Sequence, residues 1–446
     1  MIPSQATETL HPWLASARPQ SGPRWLQDLR ERGASRFSAL GFPTVRDEEW
    51  RFTNISPIAN TEFRSADTET LFSEPQLGAL LYADAPYRLV VVNGRFRPDL
   101  SRTQGLAGGV RAGSLARSIS SELEVDSEIV QRYLGQLADL GARAFDALNT
   151  ARIDDGAFVY VPDGTIVEQP LQVMFVSTSR AGGHPTIHHP RFLLVVGSHS
   201  QVRIVETYVG TGGVYFSNAL TEVFVGENAV VDHYKVQEES RDAFHVASMH
   251  VHALRSASFS SHSFTLGGKI VRNDVVSTLD GEGAECTLNG LYLADGERLV
   301  DNHTTIEHAK AHCPSHEIYK GILGGRARAV FNGKIIVRPD AQKTDAKQTN
   351  RALLLSDSAS INTKPQLEIF ADDVKCTHGA AIGQIDEDAV FYLQTRGLTF
   401  NEARDMLIHA FAGEILDRVR IDPLKRALEV ELYAQLAKDL AEAAAG

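Results

Sequence analysis

The sequence is short of sulfur and of positive charge. Cys286, Cys313 and Cys376 are the 3 cysteines of 446 residues, an odd and widely spaced set that makes no disulfide framework and fits reduced thiols. Lys and Arg number 44 against 56 Asp and Glu, and the formal charge of −12 gives a nucleic-acid backbone or an anionic bilayer nothing to be drawn to, so neither is expected as a partner. No apolar run reaches the ~18 residues that a membrane span needs. The opening MIPSQATETLHPW has neither the basic nor the apolar region of a secretory signal, so the expected location is the cytoplasm. Nucleotide signatures are missing as well. LGGKIV (266–271) and FNGKII (331–336) place Ile after Gly-Lys, where a phosphate-binding loop needs Ser or Thr. With no nucleophile elbow, no His-Glu-x-x-His helix and no Cys-x-x-Cys pair, the standard catalytic motifs are absent and the chain is not expected to be an enzyme.

What is present is 43% hydrophobic and 22% charged residues, enough for a large core and more than one structural region. Residues 1–150 read as an α/β cap, with Trp25, Leu26 and Leu29 at helical spacing after Pro23 and the β-branched run RLVVVNG (88–94) closing on an Asn-Gly turn. Residues 151–390 read as all-β, built from short strands such as AFVYV (157–161), FLLVV (192–196), QVRIVETYV (201–209) and LTEVFV (220–225). A polar turn leading into a small-residue strand entry recurs at GSHSQV (197–202), GENAVV (226–231), RSASFS (255–260) and GEGAEC (281–286). It returns at GGRARAVF (324–331), SDSASI (356–361) and ADDVKC (371–376), with intermediate turns at Gly267-Gly268, Asp295-Gly296 and Pro339-Asp340. The repeat suggests coils stacked in a parallel β-solenoid, while short strands with regular turns also fit a β-sandwich. Residues 391–446 turn helical. Thr399 and Glu402 make a capping box, and Ala403, Met406, Leu407, Ala410, Phe411, Ile415 and Leu416 an apolar stripe. After Pro423, Leu424, Leu428, Leu432, Leu436 and Leu440 run in an i+4 series.

Candidate chemistry gathers around histidine. All but His11 and His409 of the 16 histidines lie between His184 and His378. The segment 303–316 holds His303, His308, His312, Cys313 and His316, donors suited to zinc, copper or iron but spaced like no closed site, so His308, His312 and Cys313 are expected to be mainly structural. Cys376 and His378 stand two residues apart in an extended segment, which turns both side chains to one face and offers a transition metal a thiolate beside an imidazole. The acidic pairs Asp154-Asp155 and Asp372-Asp373 leave open a second reading, a β-solenoid lyase or esterase, or a stand-alone metal-binding protein.

The stretch KPQLEIFADDVKCTHGAAIGQIDEDAVFYLQTRGL (364–398) resembles the signature of the SufD family, a subunit of the SUF scaffold for iron–sulfur cluster assembly. RDEEWRFTN (46–54), FDALNTA (145–151), LNGLYL (288–293), VDNHTTIEH (300–308), YKGIL (319–323), VFNGKI (330–335) and DAKQTNRALLLS (345–356) fit the same family in the same order. The resemblance implies a mainly β fold, a right-handed parallel β-helix flanked by the N-terminal cap and the C-terminal helices. It implies a non-catalytic scaffold subunit that pairs with a SufB-like subunit and docks SufC, an ABC-type ATPase, through Met406, Leu407, Phe411 and Ile415. No cofactor is expected to stay on the isolated chain. Iron or a nascent iron–sulfur cluster is expected transiently where the SufB-like subunit meets Cys376 and His378, with His378 the foremost ligand, and a homodimer of the isolated chain is left open.

Overall fold

The computed structural model describes residues 12–15, 22–66, 72–78, 86–120, 124–179 and 182–445. Its core strands are, in chain order, β1 (Tyr87–Val92), β2 (Ala157–Val161), β3 (Leu171–Ser177), β4 (Arg191–Val196), β5 (Gln201–Gly210), β6 (Tyr215–Val225), β7 (Val230–Glu238), β8 (Phe244–Ala253) and β9 (Ser258–Thr265). They continue as β10 (Ile270–Leu279), β11 (Glu285–Ala294), β12 (Leu299–His308), β13 (Pro314–Leu323), β14 (Arg328–Val337), β15 (Asp345–Leu354), β16 (Ser360–Ile369) and β17 (Lys375–Gln384). Odd strands stack in one sheet and even strands in the other, each parallel to the strand two places on. The chain therefore winds as a β-solenoid of about seven turns, with helices at both termini. A sandwich of antiparallel hairpins is excluded by that register.

Each coil turns on the same device. His199, Asn228, Ser256, Gly283, His312 and Lys343 adopt a left-handed backbone in the turns that lead from even to odd strands. The amide of each donates to a carbonyl one coil onward, as from His199 to Glu227, Asn228 to Arg255 and His312 to Gln342. The next residue in each turn is small and buried: Ser200, Ala229, Ala257, Ala284, Cys313 and Thr344. The sequence repeat mixes the two edges of the solenoid. GGRARAVF and SDSASI lie on the opposite edge from GENAVV, with the turns at Gly268 and Gly296, while Pro339-Asp340 belongs with His312 and Lys343. Both edges use a polar turn before a buried small residue, Ala327 and Ala359 on the second, so turn chemistry does not reveal the edge.

Two coverings close the outer faces. The N-terminal region lays helices α1 (Arg24–Leu40) and α2 (Ala144–Ala151) near the even sheet, where Phe37, Ile55, Ile58, Phe145 and Leu148 pack with Phe216, Phe244, Ile270 and Leu299. Gly33 lets the two helices touch, since a Cβ there would sit 2.6 Å from the Ala151 nitrogen. After α3 (Glu387–Thr395), which packs against the next helix, α4 (Phe400–Leu416) and α5 (Asp422–Ala445) lie on the odd sheet. Ile408, Ile415, Leu424, Leu428, Leu432 and Leu436 bury against Tyr234, Val236, Leu291 and Ile322, and the Leu440 side chain lies outside the described residues. The capping box forms, Thr399 and Glu402 exchanging hydrogen bonds at the start of α4. Among the described residues no helix is long and apolar enough to cross a membrane.

Candidate functional site

Among the described residues the solenoid has no lid at its last coil. β16 and β17 each pair on one side only, leaving a free edge on both sheets. Lys375 donates its amide to Thr344, so in β17 the odd residues bond inward and Cys376, His378, Ala380, Ile382 and Gln384 turn their amides to the free edge. In β16, Ser360 and Phe370 donate to β14-side carbonyls, which leaves Thr363 and Leu367 facing outward and Pro365 with no amide to offer. Ile369, Phe370 and Ile382 are exposed beside these edges. An unpaired, partly apolar double edge offers backbone groups on which a further strand can pair.

Register explains what Cys376 and His378 do there. Cys376 ends a lumen-facing column of Val202, Val231, Phe259, Cys286, Ser315 and Ala346. His378 ends the neighbouring column of Ile204, His233, Ser261, Leu288, Glu317 and Gln348. Every earlier member of both columns is buried. His378 is exposed and Cys376 half-buried only because no further coil covers them. Burial pushes the Cys376 thiol up, whereas the backbone amide of Ala346 favours the thiolate. Two coils below His378 the Glu317 carboxyl accepts from Gln348 Nε2 at 2.7 Å and is pushed up to about 7 by burial.

The donors of segment 303–316 are not brought together. His303 points outward from the even sheet, its Nε2 2.9 Å from Asp301 and its Nδ1 3.2 Å from Glu49. His308 faces the lumen and meets Ser315 Oγ at 3.0 Å, burial pulling it down to about 4. His312 is a turn residue, and Cys313 donates its thiol to the Gly281 carbonyl at 3.2 Å. His316 lies on the outer face of β13, half-buried. Among the described residues no cluster of three or more His, Cys, Asp or Glu has metal-binding geometry. Of the acidic pairs, three members are occupied and Asp372 is exposed. Asp155 holds Ser114 Oγ and the Phe96 and Ala116 amides, Asp154 pairs with Arg95, and Asp373 pairs with Lys343.

On the C-terminal helices the apolar stripe divides. Ile415 is 0% exposed and belongs to the core under α4, so its sequence-based place on a docking face is corrected. Phe411 is half-buried, its ring 4.5 Å from Lys320 Nζ and its carbonyl bonded to the same ammonium at 2.9 Å. Leu407 is half-buried and Met406 48% exposed. Sequence reasoning missed Phe391, Tyr392 and Phe400, which are 68%, 57% and 55% exposed. Their signal was an aromatic pair in a short helix whose one buried residue is Val390.

Two family models match the chain: "SUF system FeS cluster assembly, SufBD core domain" over residues 175–411 and "SufBD protein N-terminal region" over residues 18–173. The chain is 36% identical to an iron–sulfur cluster assembly SufBD family protein of Synechocystis, covering 90% of this chain and 89% of that one. It is 33% identical to the iron–sulfur cluster assembly protein SufD of Escherichia coli, over 89% and 90% of the two chains. With SufD of Bacillus subtilis the identity is 26% over 91% and 93%.

Proposed function

From the premise that the chain belongs to the SufBD family and is a subunit of the SUF system for iron–sulfur cluster assembly, we propose that it is one non-catalytic half of a split scaffold. Its open coil meets a SufB-like subunit, and a nascent cluster is built across the junction. The observation that carries this reading is the uncapped final coil, where Cys376 and His378 end two lumen columns at a free edge. Two donors are too few for a closed site, and a second chain supplying the remainder would hold iron and sulfide only while the two surfaces stay together. His378 is the foremost ligand from this side. Cys376, its thiol pushed up by burial, must release a proton to bind metal, so its contribution grows with pH.

The exposed aromatic face of α3 and α4 is the dock for the SufC ATPase, anchored by Phe391, Tyr392, Phe400 and Met406, with Leu407 and Phe411 at its buried margin. ATP-driven movement of that subunit reaches the open coil through α4, which is tied to β13 by Lys320 and its ion pair with Glu414. The test is reconstitution with the SufB-like and SufC subunits, followed by absorbance and iron content. His378→Ala should leave the complex intact and lower cluster yield. Wild-type rate and yield in that variant would reduce the chain to a structural half with no ligand role.

A further inference from the structure

The segment from Val45 to Thr53 crosses the outer face of the even sheet beside the open end, and only some of its residues hold it there. Glu49 accepts from Asn332 at 3.3 Å and lies 3.2 Å from His303, Trp50 stacks on Arg272 with 3.8 Å from guanidinium carbon to ring centroid, and Thr53 donates to Asp301 at 2.6 Å. Val45, Arg46, Glu48, Arg51 and Phe52 are left exposed. With Asn362, Thr363 and Lys364 of β16 they line a cleft of about 450 Å³. Lys364 is ion-paired with Glu48. Arg46 and Arg51 carry no ion pair among the described residues, and Arg51 leans over the Phe52 ring at 5.8 Å. In a chain of net charge −12, the residues that line this cleft are net basic, Arg46, Arg51 and Lys364 against Glu48, with two exposed apolar side chains beside them and the exposed Asp47 and Glu49 flanking the lining.

One wall of this cleft is the free edge itself, where the Thr363 amide faces outward. Resting on the reading that a partner subunit abuts this end, we infer that the cleft receives an acidic, extended segment of that subunit. Its carboxylates lie between Arg46 and Arg51, its apolar side chains rest on Val45 and Phe52, and its backbone approaches Thr363. Guanidinium forks favour carboxylates over a diffuse negative field because they donate two parallel hydrogen bonds.

The experiment measures binding of the purified SufB-like subunit to wild type, to the double variant Arg46→Glu/Arg51→Glu and to Ile382→Lys, at several salt concentrations. Both arginines are exposed, so the double variant should melt as wild type does. Its affinity at low salt should fall about tenfold or more and its salt dependence should flatten. A photo-crosslinking residue at position 45 should capture a partner peptide rich in Asp or Glu. If Ile382→Lys abolishes pairing while the double variant binds as wild type with an unchanged salt slope, the inference is overturned and the open-end reading stands. If neither variant changes binding, the open-end reading fails and the inference with it. Inorganic phosphate that binds through these arginines without displacing the partner would make the cleft a small-anion site and also overturn the inference.

Discussion

At the scale of single residues, position in a column decides what a reactive side chain is. Cys313 follows a left-handed turn residue as Ala229, Ala257 and Ala284 do three, two and one coils earlier. It is a small filler whose thiol is pushed up by burial. Cys313→Ala should cost about 1 kcal/mol or less in denaturant unfolding and change no metal content. Loss of stoichiometric zinc or iron from that variant would show the turn to be a binding site. Glu317 behaves differently, because its folded carboxyl titrates near 7 against 4.5 for an ordinary glutamate. Between those values the folded chain holds more protons than the unfolded one, so stability falls as pH rises through that window and levels off above it. Glu317→Gln should flatten the fall between pH 5 and 8, by a few kcal/mol at most. An unchanged melting profile across that range would mean that Glu317 is ionised when buried.

At the scale of elements, α4 serves two masters. Ile408, Ala412 and Ile415 bury toward the solenoid while Phe400 and Met406 face out. Met406→Asp or Phe400→Asp should leave melting unchanged and weaken SufC binding by a few kcal/mol where the residue is a central anchor. Ile415→Asp should instead strip the helix from the odd sheet, seen as a lowered thermal midpoint. Equal effects on stability from both substitutions would contradict the division. The stripe itself was legible from spacing, as were the capping box and the strand zone, because periodicity reports which residues must leave water. Which half of the stripe meets the solenoid was not legible, since that depends on Tyr234, Ile322 and other residues far away in sequence. For the same reason Cys376 and His378 could be paired by their i+2 spacing, yet their exposure follows from the lack, among the described residues, of a coil beyond β17. The long-range register that places Glu317 beneath His378 leaves no local mark at all.

At the scale of the molecule, a covering lies over each outer face of the solenoid and, among the described residues, one end is left bare. The N-terminal covering is joined to the even sheet by buried charge as well as by apolar contact. Arg272, 2% exposed, binds Asp274 through two nitrogens, Asp301 at 2.8 Å and the Glu49 carbonyl at 2.6 Å, and lies against Trp50. Arg143 reaches Asp274 at 2.7 Å from the start of α2, and Asp146 meets His250 at 2.6 Å. The motifs RDEEWRFTN and VDNHTTIEH are thus two sides of one junction, in which His303 bridges Asp301 and Glu49. Removing one member of such a buried set leaves the others charged and unpaired, at a cost of about 3–5 kcal/mol. In Arg272→Ala that cost falls on the junction, whereas the solenoid keeps its own ladders. Limited proteolysis should therefore open sites within residues 22–66 and 139–152 of the variant while β1 and the segment from β2 to β17 resist. Arg272→Lys should fare little better, since an ammonium offers neither the two-nitrogen grip on Asp274 nor the flat face against Trp50. A variant as protease-resistant as wild type would show that apolar contact alone holds the covering in place.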